Sequence, residues 1–403
     1  MEMTFEMLIK ACAPGGASTW TSVTDLTPAS GSHASIAPAK FVVERNSSTF
    51  AYETRFVDNR PVQAVVIDSK QSSINRGENA ISYDMTHGHP IISRIPRVQV
   101  RYDESTTLTD LDLPHRAFDG HIRGGFIEGK PATEHESFRA VRNSTLANAS
   151  SILNVAPAAL IYGGWDATRK ANQLRVRSSI VGEIIGVLAD QDKTGPEQQA
   201  ARGGARIDPI AASVKLSPEA YRKIIDAQRE ELSKKNYETA DKIIKKSKKG
   251  ETLSASNLGL GAIPPSLDPV GGVSCQRIIR SWVLSFASLR QIRFGGSLES
   301  DVAGRALLAA LGLSTIARAE QELYLRANCD LVEADAPVVK LDQRYGEFLD
   351  LQPLTIEKAD ALLEEAMNYA EQVGVVTWQG QTLEVIGNPD ILGGAVEEEP
   401  EES

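Results

Sequence analysis

Aromatic side chains make up only 6% of the 403 residues, and cysteine occurs three times. Cys12, Cys275 and Cys329 are odd in number and scattered without metal-ligand spacing, so neither a disulfide framework nor a zinc site is implied. Unbroken apolar runs are missing too, since none approaches the roughly 18 residues that a membrane span needs. Met1 to Ala17 shows no basic start followed by an apolar block and a cleavage site, and the expected location is the cytoplasm. On that route the sequons at Asn46, Asn143 and Asn148 are chance matches.

An excess of positive charge is also lacking. The formal net charge is -10 with a pI near 5.3, whereas phosphate binders are commonly basic overall. The distribution matters more than the sum. Five carboxylates sit in Glu397-Glu398-Glu399-Pro400-Glu401-Glu402, a segment too polar to pack, which leaves the body near about -5. Within that body, Val273 to Ser297 holds Arg277, Arg280, Arg290 and Arg293 and no acid, while Lys234 to Lys249 holds seven lysines against Glu238 and Asp241. An acidic chain with concentrated basic patches can still bind a phosphate chain along one groove.

Residues 1–37, rich in Ser, Thr, Gly, Ala and Pro, read as a mobile arm after a short helix over Thr4 to Ala11. Lys40 to Val43 and Phe50 to Val57 are predicted to pair around Asn46-Ser47-Ser48, and Val62 to Ile67 is a buried strand. Ser69 is a helix cap ahead of Gln71 to Ile81. A strand follows over Arg97 to Tyr102, and helical spacing returns between Leu113 and Ile122. Ala158 to Tyr162, Ser179 to Leu188 and Arg206 to Val214 are rich in Ile, Val or Leu and read as strands. Ser217-Pro218-Glu219 starts a charged helix that runs to about Lys249, giving a basic helical insertion over 217–250. Beyond a loop over Gly259 to Gly272, the pattern predicts strands at Ile278 to Phe286 and Leu323 to Glu333. It predicts helices at Asp301 to Leu323, with an amphipathic pattern, and at Ile356 to Gln372. The expected class is therefore α+β, with one domain over 38–390 that carries insertions on a small antiparallel core, and a disordered acidic tail over 391–403.

Four separated segments resemble the Csb-one branch of the Cas-seven family of CRISPR proteins. They are Asp68-Ser69-Lys70-Gln71-Ser72-Ser73-Ile74-Asn75-Arg76, Leu113-Pro114-His115-Arg116-Ala117-Phe118-Asp119, Pro157-Ala158-Ala159-Leu160-Ile161-Tyr162-Gly163-Gly164-Trp165-Asp166, and Gly271-Gly272-Val273-Ser274-Cys275 running to Phe294-Gly295. Ala205-Arg206-Ile207-Asp208-Pro209 and Arg326-Ala327-Asn328-Cys329-Asp330-Leu331-Val332 fit the same pattern, and the lysine-rich helix lies outside it. The resemblance implies a protein of the RAMP superfamily with an RRM-like (ferredoxin-like) core, from a type I-G (formerly I-U) system. Several copies of such a subunit, in a head-to-tail helical row, would coat the spacer of a CRISPR RNA and present it to target DNA. A Cas-five/Cas-six fusion subunit and a large subunit would complete this Cascade complex, and a Cas-three nuclease-helicase would join it transiently. The subunit itself is expected to be non-catalytic.

Holding a guide of any sequence calls for contacts to phosphate and ribose that leave base edges free. Ser69, Lys70, Gln71, Ser72, Asn75 and Arg76 place small donors, amides and cations at a helix start, where free backbone N–H groups also attract phosphate. The alternative is an ordinary capped helix with Arg76 in a surface ion pair. Arg277, Arg280, Arg290 and Arg293 are the second set; on a strand Arg280 shares a face with Trp282, which stacks on a base or packs in the core. Trp165, after two glycines, can sit on a loop close to RNA or be buried, and Arg175 and Arg177 alternate toward a groove or the rim. His115 with Arg116, and His121, are the one place where RNA cleavage is a rival reading, as in a RAMP-type endoribonuclease. His87-Gly88-His89 lacks a third ligand at useful spacing.

Overall fold

The computed structural model describes residues 1–44, 47–170, 173–206, 213–248, 250–325 and 329–394, without the side chains of 44, 47, 263 and 264. The chain divides into two compact units, Met1–Gln198 with Ser274–Ser403, and Gln199–Val273. A single domain over 38–390 with its insertion at 217–250 was the expectation. The second unit is wider than that insertion because the chain leaves and returns on a pair of strands, Ala200–Arg206 and Ile263–Gly272, the latter expected as loop.

In chain order the larger unit contains α1 (Phe5–Cys12), β1 (Thr19–Pro28), β2 (Tyr52–Val57), β3 (Arg60–Asp68), α2 (Lys70–Thr86), β4 (Arg97–Arg101), β5 (Ile180–Leu188) and β6 (Cys275–Ser285). After these come α3 (Leu298–Gln321), β7 (Leu331–Glu333), β8 (Val338–Asp342), β9 (Phe348–Leu351), α4 (Ile356–Gln372) and β10 (Thr382–Ile386). The main sheet runs β9-β8-β1-β6-β5-β3-β2 with β7 also on β1, and all of its neighbours are antiparallel. A second sheet is built on β4 and β10, which pair in parallel. The α+β class thus holds.

Alternation explains β6, whose Ile278, Arg280, Trp282 and Leu284 face inward while Arg277, Ile279, Ser281 and Val283 lie on the opposite face. Trp282 is opposite Gly182 of β5, and a Cβ there would come within 2.4 Å of the ring. The indole packs in the core, so of its two readings the stacking one is withdrawn.

The mobile arm expected over 1–37 is corrected. β1 lies in the middle of the sheet between β8 and β6, with Trp20, Ser22, Thr24 and Leu26 facing inward. Ser22 donates to Glu320 and Thr24 accepts from Arg280, so polar residues here occupy the buried face. That polarity hid the strand. Ahead of it, Thr4 caps α1 and Leu8, Ala11 and Cys12 are buried.

Other expectations also changed. Ala158 to Tyr162 is helical over Ala158–Ile161, since a five-residue apolar run has no period of its own. Leu113 to Ile122 breaks into a turn at Arg116–Phe118, where Arg116 has φ +48°, and a short helix at Gly120–Arg123. Phe41–Glu44 pairs with Ser47–Thr49, and Tyr52–Val57 with β3. The strand expected at Arg206 to Val214 lies mostly outside the described residues, as do 326–328 and 395–403, whereas Pro389–Gly393 is a short helix.

α3 was expected to be amphipathic, yet it is buried from Asp301 to Ala319 on every side. By length and hydropathy it could cross a membrane, and its whole apolar window is covered by the protein, as in a core helix. Buried ions tie it to its neighbours. Arg318 donates to Asp84 of α2 at 2.8 Å and to both carboxylate oxygens of Asp360 of α4 at 2.7 and 2.9 Å.

In the smaller unit the charged helix is two, Pro218–Ala227 and Lys234–Lys246, capped by Ser217 and Ser233. Tyr221, Ile225, Ala240, Leu253 and Ala255 form its core, with Lys234, Lys235, Lys242, Lys245 and Lys246 exposed.

Candidate nucleic-acid interface

A groove of about 640 Å³ runs along the outward side of α2. Ser69 caps this helix by accepting from Ser72 N, and the exposed residues Gln71, Asn75 and Asn79 recur at every fourth position on one stripe. Ile74 and Glu78 form the adjacent row, which exposed Lys70 begins. Opposite this stripe, Leu111, Leu113, Pro114, Tyr162, Ser178 and Val181 complete the wall. An apolar floor with amides and a cation along its rim suits ribose and phosphate.

Arg116 lies across the groove with its charge already matched. Its guanidinium makes a two-pronged contact with buried Glu78 at 2.6 and 2.8 Å, donates to Gly163 O at 2.9 Å, and lies over the Tyr162 ring. Burial raises the Glu78 carboxyl above its ordinary range despite Arg116. Behind this pair Asp110 is fully buried: one oxygen accepts from Val98 N at 3.0 Å, the other has no hydrogen-bond partner among the described residues, and burial pushes its pKa up to about 7. Arg116 therefore positions the turn at Gly163, and Lys70, exposed, is the lining cation without a side-chain partner among the described residues.

At Tyr162 the chain leaves the groove on a two-stranded ribbon, Gly164–Trp165 paired with Arg175–Val176, and returns at Ser178. Gly163 turns with φ +97° and a Cβ there would meet Ser178 N at 3.0 Å, which explains the glycine. Trp165 is 44% exposed, and Arg175 lies over its ring at 5.1 Å. Arg177 is exposed as well. Asp166, which follows Trp165, is buried and held by Arg142. An aromatic plate with a cation over its ring and a second one nearby can stack an unpaired base.

The structure thus gathers Lys70, Gln71, Asn75 and Arg116 in the groove and Trp165, Arg175 and Arg177 on its ribbon, with Ser69 and Ser72 in the helix cap. Three arginines fall elsewhere, as corrections. Arg76 is buried and donates to Asp68 at 2.7 Å and to Ala319 O, because the helix turns that position toward α3. Arg280 is on the inward face of β6 with Glu333, Thr24 and Glu320 O, and Arg277 on the opposite face is held by Asp25 and Asp58. A segment without acids of its own finds them on neighbouring strands. Arg290 and Arg293 line a separate pocket. His115 is exposed, and His121 Nδ1 lies 2.5 Å from the Tyr102 hydroxyl. Among the described residues no group of His, Cys, Asp and Glu is placed to hold a metal. Sequence reading missed Asn79, Ser178 and the Glu78–Arg116 pair; the fourfold spacing from Gln71 was the signal available for Asn79.

A family model described as CRISPR-associated protein GSU0053 matches residues 21–191. The match indicates a CRISPR-associated protein family. It covers less than half of the chain, but contains the whole groove lining and the ribbon. No curated protein matches the chain.

Proposed function

We propose that this chain is a non-catalytic guide-RNA-binding backbone subunit of a type I-G Cascade, of the Csb-one branch of the Cas-seven family. The observation that carries the reading is the amide-rimmed groove on α2 joined to the Trp165–Arg175 plate, both inside the segment matched to a CRISPR-associated family. Lys70, Gln71, Asn75 and Asn79 donate to phosphate and 2′-OH groups, and Trp165 stacks a base without reading it. An RRM-like core is supported by the order β8-β1-β6-β5, with α2 between β1 and β5 and α3 between β6 and β8. Further copies of the chain, the Cas-five/Cas-six fusion, the large subunit and target DNA are its partners in the cytoplasm, and the Cas-three nuclease-helicase a transient one.

Titrating the full chain with two single-stranded RNAs of equal length and unrelated sequence tests this. Equal affinities that fall steeply with salt are expected, with Lys70→Glu weakening both alike. Strong preference for one sequence, or no effect of Lys70→Glu, contradicts it. The endoribonuclease alternative requires the chain alone to cut a CRISPR repeat RNA and the His115→Ala/His121→Ala variant to lose the cut.

A further inference from the structure

A second cavity, of about 500 Å³, opens at the start of α3 and is lined by Pro14, Arg290, Arg293, Gly295, Asp301 and Arg305 among others. Arg305 is only 4% exposed, donates Nε to Ile292 O at 2.8 Å and Nη2 to Asp301 at 3.3 Å, and makes no hydrogen bond through Nη1 among the described residues. Asp301 is itself shared, since its other oxygen accepts from Phe294 N at 2.8 Å. Arg290 donates through Nη1 alone to the neutral carbonyls of Ala11 and Ala17, at 2.6 and 2.8 Å. Burial, then the charge of Arg344 and, less strongly, of Arg305, holds Arg290 below the ordinary arginine value. Arg293 is exposed, with its backbone fixed by Leu146 O and Ala149 N. Arg290, Arg293 and Arg305 thus line one cavity against a single lining carboxylate, at the N-terminal end of the 24-residue α3, where Ser297 already accepts from Ser300 N.

We propose that this pocket binds a phosphate group of a nucleic-acid strand, as an anchoring point distinct from the groove along α2. That the anion belongs to a nucleic acid rests on the guide-binding reading. Guanidinium forks match phosphate oxygens in pairs, and the cavity has room for a nucleotide. Thr315 of α3, which hydrogen bonds Tyr162 of the groove, is 17 residues beyond Leu298, roughly 25 Å at about 1.5 Å per residue. The two sites therefore hold different phosphates.

Arg293→Glu is the variant of choice, because this side chain is exposed and makes no hydrogen bond or ion pair among the described residues, and its backbone bonds survive the change. Millimolar pyrophosphate is expected to raise the melting temperature of the parent chain and not that of Arg293→Glu. In RNA titrations the variant is expected to lose about tenfold in affinity and to show a salt slope shallower by roughly 0.7 or more. Parent-like RNA affinity and slope in Arg293→Glu would overturn the pocket, and if Lys70→Glu loses affinity in the same assay the guide-binding reading survives that failure. RNA binding absent from the parent itself discards both. Displacement of pyrophosphate by a peptide spanning Glu397 to Ser403, but not by RNA, overturns the nucleic-acid occupant.

Discussion

Arg76 and Asp68 face each other at 2.7 Å beneath α2, with Ser73 also donating to Asp68 at 2.6 Å. Removing the cation strands a buried carboxylate, so Arg76→Ala is expected to lower unfolding free energy by roughly 3–5 kcal/mol in urea titration. Parent-like stability would contradict the burial. From sequence the same arginine reads as a surface phosphate contact, because a helix period states which positions share a face and not which face is inside. Asp110 makes the second prediction at this scale. Its folded pKa of about 7 lies above the ordinary 3.8, so the native state holds the proton more firmly between these values. Stability is full below the lower value and is lost as pH rises through about 7. Urea titrations at pH 5 and pH 8 are expected to show this fall in the parent and to flatten in Asp110→Asn; a parent stability that rises over that window refutes it.

Among elements, the groove owes its line to α2 and its end to the ribbon. Trp165→Ala is expected to weaken single-stranded RNA binding by roughly 1–3 kcal/mol, about five- to 150-fold, with the melting temperature unchanged because the ring is half exposed. Unchanged affinity would remove the plate from the site. α2, β5, β6 and α4 were legible because their caps and alternation are local signals: Ser69 and Thr355 each accept from the residue three positions on. β1 and the strand Ile263–Gly272 were not, since their partners lie far away in sequence and their Ser, Thr, Gly and Pro content reads as loop. The groove's floor has the same character: Leu111, Tyr162 and Val181 come together only through the tertiary fold.

For the whole molecule the net charge is -10, and two of the four arginines of the acid-free segment, Arg277 and Arg280, are matched by carboxylates from other segments of the fold. A subunit that covers one short stretch of a long guide must repeat along it, and head-to-tail contacts that do not close give an open row. Mass measurement on guides lengthened stepwise is expected to show whole added copies of this chain; a constant copy number contradicts the row. The central claim is that this chain holds guide RNA through backbone contacts, and its most direct test is the RNA that stays with it. Expressed with a CRISPR array and purified, the chain is predicted to carry array-derived guides whose spacers appear in the proportions in which they were made. Protein free of nucleic acid, or carrying cellular RNA without enrichment of array transcripts, would contradict the account.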